Sequence, residues 1–130
     1  MRVVERIFVN HEYSEKIKTG YNESYVQYDP LGVVLGVMPW NFPYWQVFRF
    51  VAPSLMAGNV CILKHASNVS GCALLIEKLF NDCSPYPNIF KTLLISSSQV
   101  SNVIANSKIK AITLTSEMEM LDHLEDLILK

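Results

Sequence analysis

A primary amide and an aromatic ring stand between two prolines in segment 39–43, which reads Pro39-Trp40-Asn41-Phe42-Pro43. The amide nitrogen of Asn41 can donate hydrogen bonds to an oxygen that gains negative charge during a reaction, and such a donor stabilises a transition state by several kcal/mol in a dry site. The alternative is that Asn41 caps a helix beginning near Phe42, because asparagine is a preferred capping residue. The cap would use the side-chain oxygen, so the two roles use different atoms.

A lysine and a serine follow the next apolar run of the chain. Residues 60–63 predict a buried strand, Lys64 comes directly after them, and Ser67 lies a little further on, with no acid before Glu77. The end of a second strand is where dinucleotide domains contact the adenosine ribose. A cation and a hydroxyl there would attract a 2′-phosphate, which the acid common in NAD-binding domains would repel. The alternative is a solvated lysine at a strand end.

Polar residues lie at the ends of all four predicted strands, in segments 38–41, 64–67, 96–99 and 113–116. Ligands of open parallel sheets bind beyond these carboxyl ends. No G-x-G-x-x-G follows the first strand, so the ordinary dinucleotide fingerprint is absent. The spacing by itself therefore predicts only a nucleotide-like pocket.

The three cysteines, Cys61, Cys72 and Cys83, are evenly spaced without a C-x-x-C pair. This spacing matches no metal site, so we expect no metal. We expect reduced thiols that pack or lie exposed. The alternative is that Cys72, near the start of a helix, acts as a nucleophile, although no basic partner is obvious for it.

Apolar periodicity predicts alternating strands and helices from residue 31 onward. Strands are predicted at residues 33–37, 60–63, 90–95 and 110–115. Helices are predicted at 44–57, from Cys72 to near Cys83, at 99–105 and at 117–130. Four strand–helix units with apolar strands predict an α/β fold. Its centre would be a Rossmann-like parallel sheet of about four strands with helices on both faces.

Two of the predicted helices carry specific signals. Pro53 is expected to kink or divide helix 44–57, and Gly58 with Asn59 should end it. Ser70 is expected to cap the next helix. The inward face of that helix is predicted from the spacing of Cys72, Leu75, Ile76, Leu79 and Phe80.

Composition limits the class of protein. Half of the 130 residues are hydrophobic and 18% are charged, which predicts a folded domain whose apolar surface another domain or subunit covers. The net charge of −1 gives no electrostatic basis for binding nucleic acid or an acidic membrane. No apolar run reaches membrane-spanning length and no signal peptide is recognisable, so we expect a cytoplasmic protein.

Several motifs together resemble the coenzyme domain of the aldehyde dehydrogenase superfamily. Residues 30–43, PLGVVLGVMPWNFP, are similar to the start of that domain, and residues 52–59 and 63–64 continue the similarity in order and spacing. Residues 92–95 and 111–115 fit as well. The resemblance spans residues 22–117 and is greatest to bacterial and archaeal succinate-semialdehyde dehydrogenase-like members.

The resemblance implies oxidation of an aldehyde to a carboxylic acid with NADP or NAD. It makes Asn41 the catalytic oxyanion donor and Lys64 the lysine that contacts the adenosine ribose. Ser67 stands where NAD-preferring members often carry glutamate, which favours NADP. The other coenzyme contacts that the resemblance implies are made by the backbone and side chains of Val37, Met38, Pro39 and Trp40.

The chain departs from the family pattern in several places. His65 replaces the common proline or small residue after the lysine, and residues 82–87 lack the usual glycine. Ser116 and Glu117 stand where the family has Gly-Ser, and a serine lacks the backbone freedom of glycine. No residue matches the family's general-base glutamate or nucleophilic cysteine, which the family places beyond this region.

We expect three parts in the chain: a lead-in helix and strand at 1–29, a partial coenzyme-binding domain at 30–117 and a divergent C-terminal helix at 118–130. We expect a truncated aldehyde dehydrogenase that is inactive alone, with succinate semialdehyde as the candidate aldehyde. One alternative is a piece of a split enzyme whose missing catalytic domain is a partner polypeptide. Another is a non-catalytic module that binds a nucleotide or a partner. Self-association is also expected, from the apolar excess.

Overall fold

The computed structural model describes residues 14–27 and 29–115, and the predicted helix 117–130 lies outside them. Near the start of the described chain, β1 (Ser14–Lys16) and β2 (Tyr25–Gln27) form an antiparallel pair in which Glu15 is opposite Val26. Alternating residues predict β2, but its partner β1 is too short and too polar to be recognised from the sequence.

Four parallel strands form the central sheet, in the order β5-β4-β3-β6. They are β3 (Val33–Met38), β4 (Val60–His65), β5 (Phe90–Thr92) and β6 (Ile109–Leu114). All four predicted strands are present. β4 continues through Lys64 and His65, whereas β5 ends at Thr92, before the predicted end at residue 95.

Three α-helices connect the strands: α1 (Trp45–Met56), α2 (Ser70–Cys83) and α3 (Val100–Ile104). Single turns of 3₁₀ helix at Ser67–Val69 and Ser97–Gln99 precede α2 and α3. Among these described helices, none combines the length and hydrophobicity needed to cross a membrane.

The sheet is covered on both faces, which confirms the predicted α/β architecture. Val34 and Met38 of β3 belong to a core that includes Val47 of α1 and Ile76 of α2. Their neighbours Leu35 and Val37 point to the other face and pack with Val100 of α3. This alternation follows from the two-residue period of a strand, and it explains why β3 is apolar at nearly every position.

The contact between β3 and α1 depends on Gly36. A Cβ atom at this position would lie 2.5 Å from Cε1 of Phe50, well inside van der Waals contact. The missing side chain therefore allows α1 to pack directly on β3. Segment 39–43 joins these two elements, so their close packing also limits where that segment can lie.

The expectation that Pro53 divides the first helix is wrong, because α1 runs to Met56 as one element with Pro53 in its last turn. The predicted end is confirmed, since Gly58 adopts a positive φ of 81°. Asn59 then fixes the exit from α1, because its Oδ1 accepts from the Gly32 N–H at 3.0 Å and its Nδ2 donates to the Ser54 carbonyl at 3.2 Å.

Two predictions about α2 are wrong. Ser70 does not cap the helix, because a 3₁₀ turn already leads into it and the Ser70 hydroxyl donates to the Ser67 carbonyl at 2.7 Å. Leu75 and Leu79 are 56% and 48% exposed, whereas Ala73 and Ile76 are buried. The helix thus has two apolar stripes, one with Leu75 and Leu79 and one with Ala73 and Ile76. The small side chain of Ala73 lets the second stripe pack against the sheet.

Candidate functional site

The parallel strands all end at one edge of the sheet, and the strand order reverses beside β3. From β3 the chain moves outward to β4 and β5 with α1 and α2 on one face. It then returns past β3 to β6, with α3 on the opposite face. Such a reversal is the switch point at which open α/β sheets bind ligands, and segment 39–43 follows β3 at this point.

The Asn41 amide is available for a ligand. Asn41 is exposed, and its side chain forms no hydrogen bond with the residues that the structure describes. The alternative capping role is wrong, since α1 begins at Trp45 with Tyr44 at the N-cap position and no side-chain cap bond. The structure therefore leaves both amide atoms of Asn41 uncommitted at the edge of the sheet.

The backbone beside Asn41 adopts a strained conformation. Phe42 has a φ of 53°, in the left-handed region, which costs a residue other than glycine roughly 1–2 kcal/mol. The following residue is Pro43, which fixes its own φ and restricts the residue before it. Strain of this kind persists where the surrounding structure imposes it, and it is frequent at ligand sites.

The other residues predicted to contact the coenzyme in segment 37–40 differ in how far their side chains are exposed to solvent. The side chains of Val37 and Met38 are buried on opposite faces of the sheet, and their contact with a coenzyme stays a prediction. Their carbonyls accept from the N–H groups of Thr115 and Ala66, each at 3.0 Å. Pro39 is half-buried, and Trp40, at 58% exposed, is the residue of this set whose side chain is well exposed to solvent.

Lys64 is buried, and the interpretation as a solvated lysine is wrong. It is 5% exposed, and its Nζ donates to Ser97 Oγ at 3.3 Å. Its ammonium forms no ion pair with any carboxylate in residues 14–27 or 29–115. Burial lowers the pKa of Lys64, because the charged form loses hydration. A lysine this deeply buried normally has a partner of opposite charge.

Ser97 belongs to the polar segment 96–99 that the sequence places at the ligand edge, but its contact with Lys64 was not predicted. It begins the 3₁₀ turn after β5, one strand away from β4, and it is exposed. The serine run at 96–98 is a visible signal, because it follows a predicted strand at the ligand edge. What the sequence does not show is that β5 ends early enough to bring this run to Lys64.

Ser67 lies apart from the Lys64–Ser97 contact. It is exposed at the start of its 3₁₀ turn and lines a cavity of about 230 Å³ between the ends of β4 and β5. Other hydroxyls on this cavity come from Ser70, Thr92 and Ser96. No hydrogen bond joins Lys64 to Ser67 within the described chain, so the two predicted residues offer a cation and a hydroxyl separately.

The cysteines differ in environment. Cys61 is buried near the start of β4, and burial raises the pKa of its thiol to about 11. Cys72 is half-buried in the first turn of α2, and its hydrogen bond with the Tyr44 hydroxyl raises the pKa of Tyr44. Cys83 is exposed at the end of α2. The described residues contain no group of three side chains suited to hold a metal ion.

The parallel sheet, its reversal beside β3 and the polar residues at one edge define a coenzyme-binding type of α/β domain without the glycine fingerprint. Comparison with known families is specific: the model of the aldehyde dehydrogenase family matches residues 5–127. This match covers nearly the whole sequence, and the chain belongs to the aldehyde dehydrogenase family.

Individual relatives agree with that assignment. A probable NADP(+) succinate-semialdehyde dehydrogenase of Synechocystis is 54% identical over 101 residues, which cover 78% of this chain and 22% of that protein. A Mycobacterium bovis succinate-semialdehyde dehydrogenase [NADP(+)] 1 is 48% identical over 104 residues, covering 80% of this chain and 23% of that protein. The chain thus spans less than a quarter of the length of these curated relatives.

A solved structure shows the same fold. The crystal structure of succinic semialdehyde dehydrogenase from Streptococcus pyogenes in complex with NADP+ superposes with a TM-score of 0.82 at 30% identity. The superposition covers 97% of this chain and 27% of that structure. The fold of this chain is therefore found as part of a much longer structure.

Proposed function

We propose that this chain forms the coenzyme-binding part of an aldehyde dehydrogenase and that it binds NADP+ in preference to NAD+. The observation that carries the proposal is the buried ammonium of Lys64, which has no carboxylate partner in the described chain. Such a charge destabilises a fold unless something compensates it. A phosphate of a bound ligand would supply the missing negative charge through charge-assisted hydrogen bonds.

The residues present fit a 2′-phosphate. The ammonium has three N–H donors, and the described chain uses one of them, for Ser97. The cavity of about 230 Å³ beyond β4 and β5 adds the Ser67 hydroxyl, since the hydroxyls of Ser70 and Thr92 already donate to backbone carbonyls. It is smaller than a typical pocket for a whole ligand, so it would take only part of a dinucleotide. The NADP+ bound to the Streptococcus pyogenes relative supports the same coenzyme here.

Asn41 is the residue that we place at the reacting end of the ligand. Its exposed amide nitrogen would donate to the aldehyde oxygen as that oxygen becomes negatively charged, and removing such a donor costs about 3 kcal/mol of transition-state stabilisation. Trp40, exposed beside it, would shield the site from water. The bound coenzyme would accept the two electrons that the aldehyde loses.

We place the attacking thiol and the general base in a catalytic domain outside these 130 residues. Cys61 is buried in the sheet and its raised pKa disfavours the thiolate, which is the reactive form. Neither Cys72 nor Cys83 lies in the sequence context of the family's nucleophile. The chain therefore contributes coenzyme binding and the oxyanion donor. Succinate semialdehyde is the proposed substrate on the names of the relatives alone.

A covering partner is part of the proposal. Large apolar side chains are exposed on the described surface both around segment 39–43 and along α2. A catalytic domain or a second copy of the chain would bury them. The exposed apolar side chains are those of Trp40, Phe42, Tyr44, Trp45, Leu74, Leu75 and Leu79.

The proposal includes no nucleic acid or membrane partner, and the cytoplasmic location stays a prediction from the sequence.

Calorimetric titration of the purified chain tests this function. We expect NADP+ to bind at least about tenfold more tightly than NAD+, since one charge-assisted hydrogen bond is worth about 1.5–3 kcal/mol. Absence of heat with both coenzymes at millimolar concentration would remove the proposal. We also expect the chain alone to form no NADPH from succinate semialdehyde. Formation of NADPH would show that one of its own thiols is the nucleophile.

A further inference from the structure

His65 is a buried polar residue that the proposed function does not use. It ends β4 and is 5% exposed. Its Nδ1 lies 3.2 Å from the Met38 carbonyl oxygen, and its Nε2 lies 3.0 Å from the Pro43 carbonyl oxygen. Met38 and Pro43 are the two ends of the loop that carries Asn41. One imidazole ring thus touches both ends of that loop.

The position of the ring proton is an assignment made from the neighbours of the ring. Both nitrogens face a carbonyl oxygen, which only accepts, but Nδ1 also lies 3.0 Å from the Ala66 nitrogen, whose N–H donates to it. We therefore assign the proton of the neutral ring to Nε2, which donates to the Pro43 carbonyl. The Met38 carbonyl accepts from the Ala66 N–H at 3.0 Å.

The hydrogen bond from His65 is distinctive because the backbone does not replace it. The Gln46 N–H donates to the Phe42 carbonyl and the Phe48 N–H to the Tyr44 carbonyl. Within the described chain no backbone N–H donates to the carbonyl of Pro43, which lies between those two residues. The start of the loop is fixed by the pairing of β3 with β4 and β6. At its far end α1 holds the carbonyls on either side of Pro43, and His65 holds the Pro43 carbonyl itself.

We propose that His65 is a positioning residue for Asn41, which clamps the far end of segment 39–43 to β4 and so fixes the exposed amide at the edge of the sheet. The left-handed Phe42 lies between Asn41 and the clamped carbonyl, so release of the clamp would let this strained residue relax and move the amide. The inference rests on the proposed function for the role of Asn41. The clamp itself can be measured without coenzyme.

Amide variants of His65 separate the two sides of the ring. The side-chain nitrogen of glutamine can take the place of Nε2 as a donor, and the side-chain oxygen of asparagine can take the place of Nδ1 as an acceptor. H65Q should therefore keep the hydrogen bond to the Pro43 carbonyl, and H65N should lose it. H65L should keep only the volume of the side chain. The readout is the heteronuclear NOE of the backbone amides of residues 40–42 in the ¹⁵N-labelled full chain, with the amides of β3 and β4 as internal reference.

We expect the NOE of residues 40–42 to fall in H65L and H65N and to stay at the wild-type value in H65Q, with unchanged values in β3 and β4. Wild-type values in H65L, or an equal fall in H65L and H65Q, would overturn the proposal. If H65L does not fold, the comparison of H65Q with H65N decides, and equal values in those two would overturn it. A merely structural histidine would change β4 together with the loop.

Failure of the clamp and failure of the proposed function give different results. His65 also lines the cavity beyond β4 and β5, so H65Q and H65N are compared with each other. Their affinities for 2′,5′-ADP, which carries the 2′-phosphate without the nicotinamide, should agree within about twofold, because both variants remove the ring and differ in the bond to Pro43. A wild-type chain that binds no 2′,5′-ADP would contradict the coenzyme proposal and leave the NOE test of the clamp intact. A large loss in H65N alone would show that His65 acts on the phosphate site, which contradicts its assigned role.

Discussion

Replacing Lys64 with methionine separates the cost of this residue to the fold from its contribution to binding. Methionine retains a long unbranched side chain but removes the ammonium that the structure buries without a carboxylate partner in its described part. We therefore expect K64M to be more stable than wild type in the absence of ligand, by about 1 kcal/mol, which is typical when an uncompensated polar group leaves a functional site.

The pH dependence of that gain follows from the direction of the pKa shift. Burial lowers the pKa of Lys64, so the folded chain loses this proton more readily than the unfolded chain does. The unfolded state then holds more protons over the interval between the two pKa values, and the free energy of unfolding contributed by Lys64 rises as pH increases through it. K64M should lack this rise, so its advantage over wild type should shrink toward alkaline pH.

Binding should change in the opposite direction. Loss of charge-assisted hydrogen bonds to a phosphate costs about 1.5–3 kcal/mol, which corresponds to a roughly 10- to 150-fold weaker affinity for 2′,5′-ADP. The affinity for 5′-AMP, which lacks the 2′-phosphate, should be nearly unchanged. Lys108→Met is the matched control, because Lys108 is an exposed lysine in the turn before β6.

Urea denaturation and calorimetry together measure both effects. A 1 kcal/mol gain moves the urea midpoint upward by about 0.5 M for a chain of this size. Two results would refute the reasoning: a K64M chain that is markedly less stable than wild type, or one that binds 2′,5′-ADP as tightly as wild type does. The first would mean that the ammonium is already compensated, and the second that the phosphate binds elsewhere.

Three further predictions concern packing, ionisation and association. G36A should lower the free energy of unfolding by about 1–3 kcal/mol in urea denaturation, because its Cβ would meet the Phe50 ring at 2.5 Å, and F50L should recover part of the loss. Between pH 9 and 11 the free energy of unfolding of wild type should fall by about 2 kcal/mol more than that of C61V. The reason is that the raised pKa of Cys61 keeps the folded thiol protonated while the unfolded thiol ionises. An equal dependence of the free energy of unfolding on pH in the two proteins would refute this. Light scattering should show self-association of wild type and a smaller mass for the double variant L75K/L79K, since both leucines are exposed; a monodisperse wild-type monomer would contradict it.

The sheet was predictable from the sequence because its strands are buried on both faces. Nearly every residue of β3 and most of β4 are apolar, so these strands read as short continuous runs, and the helices between them require parallel pairing. β1 gave no such signal, because three polar residues form it. The inward face of α2 was mispredicted for a different reason, since two apolar stripes satisfy the same helical period and only the packing against the sheet chooses between them.

The candidate site was predictable in position and less so in detail. The identity of Asn41 and Lys64 followed from residue type at strand ends, together with the family motifs. Burial of Lys64 did not follow, because it depends on β4 continuing through Lys64 and His65. The contacts of Lys64 with Ser97 and of His65 with Pro43 join residues 33 and 22 positions apart, which no local pattern encodes.

The most direct test of the central claim, a coenzyme site at the carboxyl edge of the sheet, is chemical-shift mapping of the ¹⁵N-labelled chain during titration with NADP+. We expect saturable shifts concentrated at residues 37–42, 64–67 and 96–99. The amino-terminal ends of β3 and β4 should not respond. Absence of shifts up to millimolar NADP+, or shifts confined to surfaces away from this edge, would contradict the account.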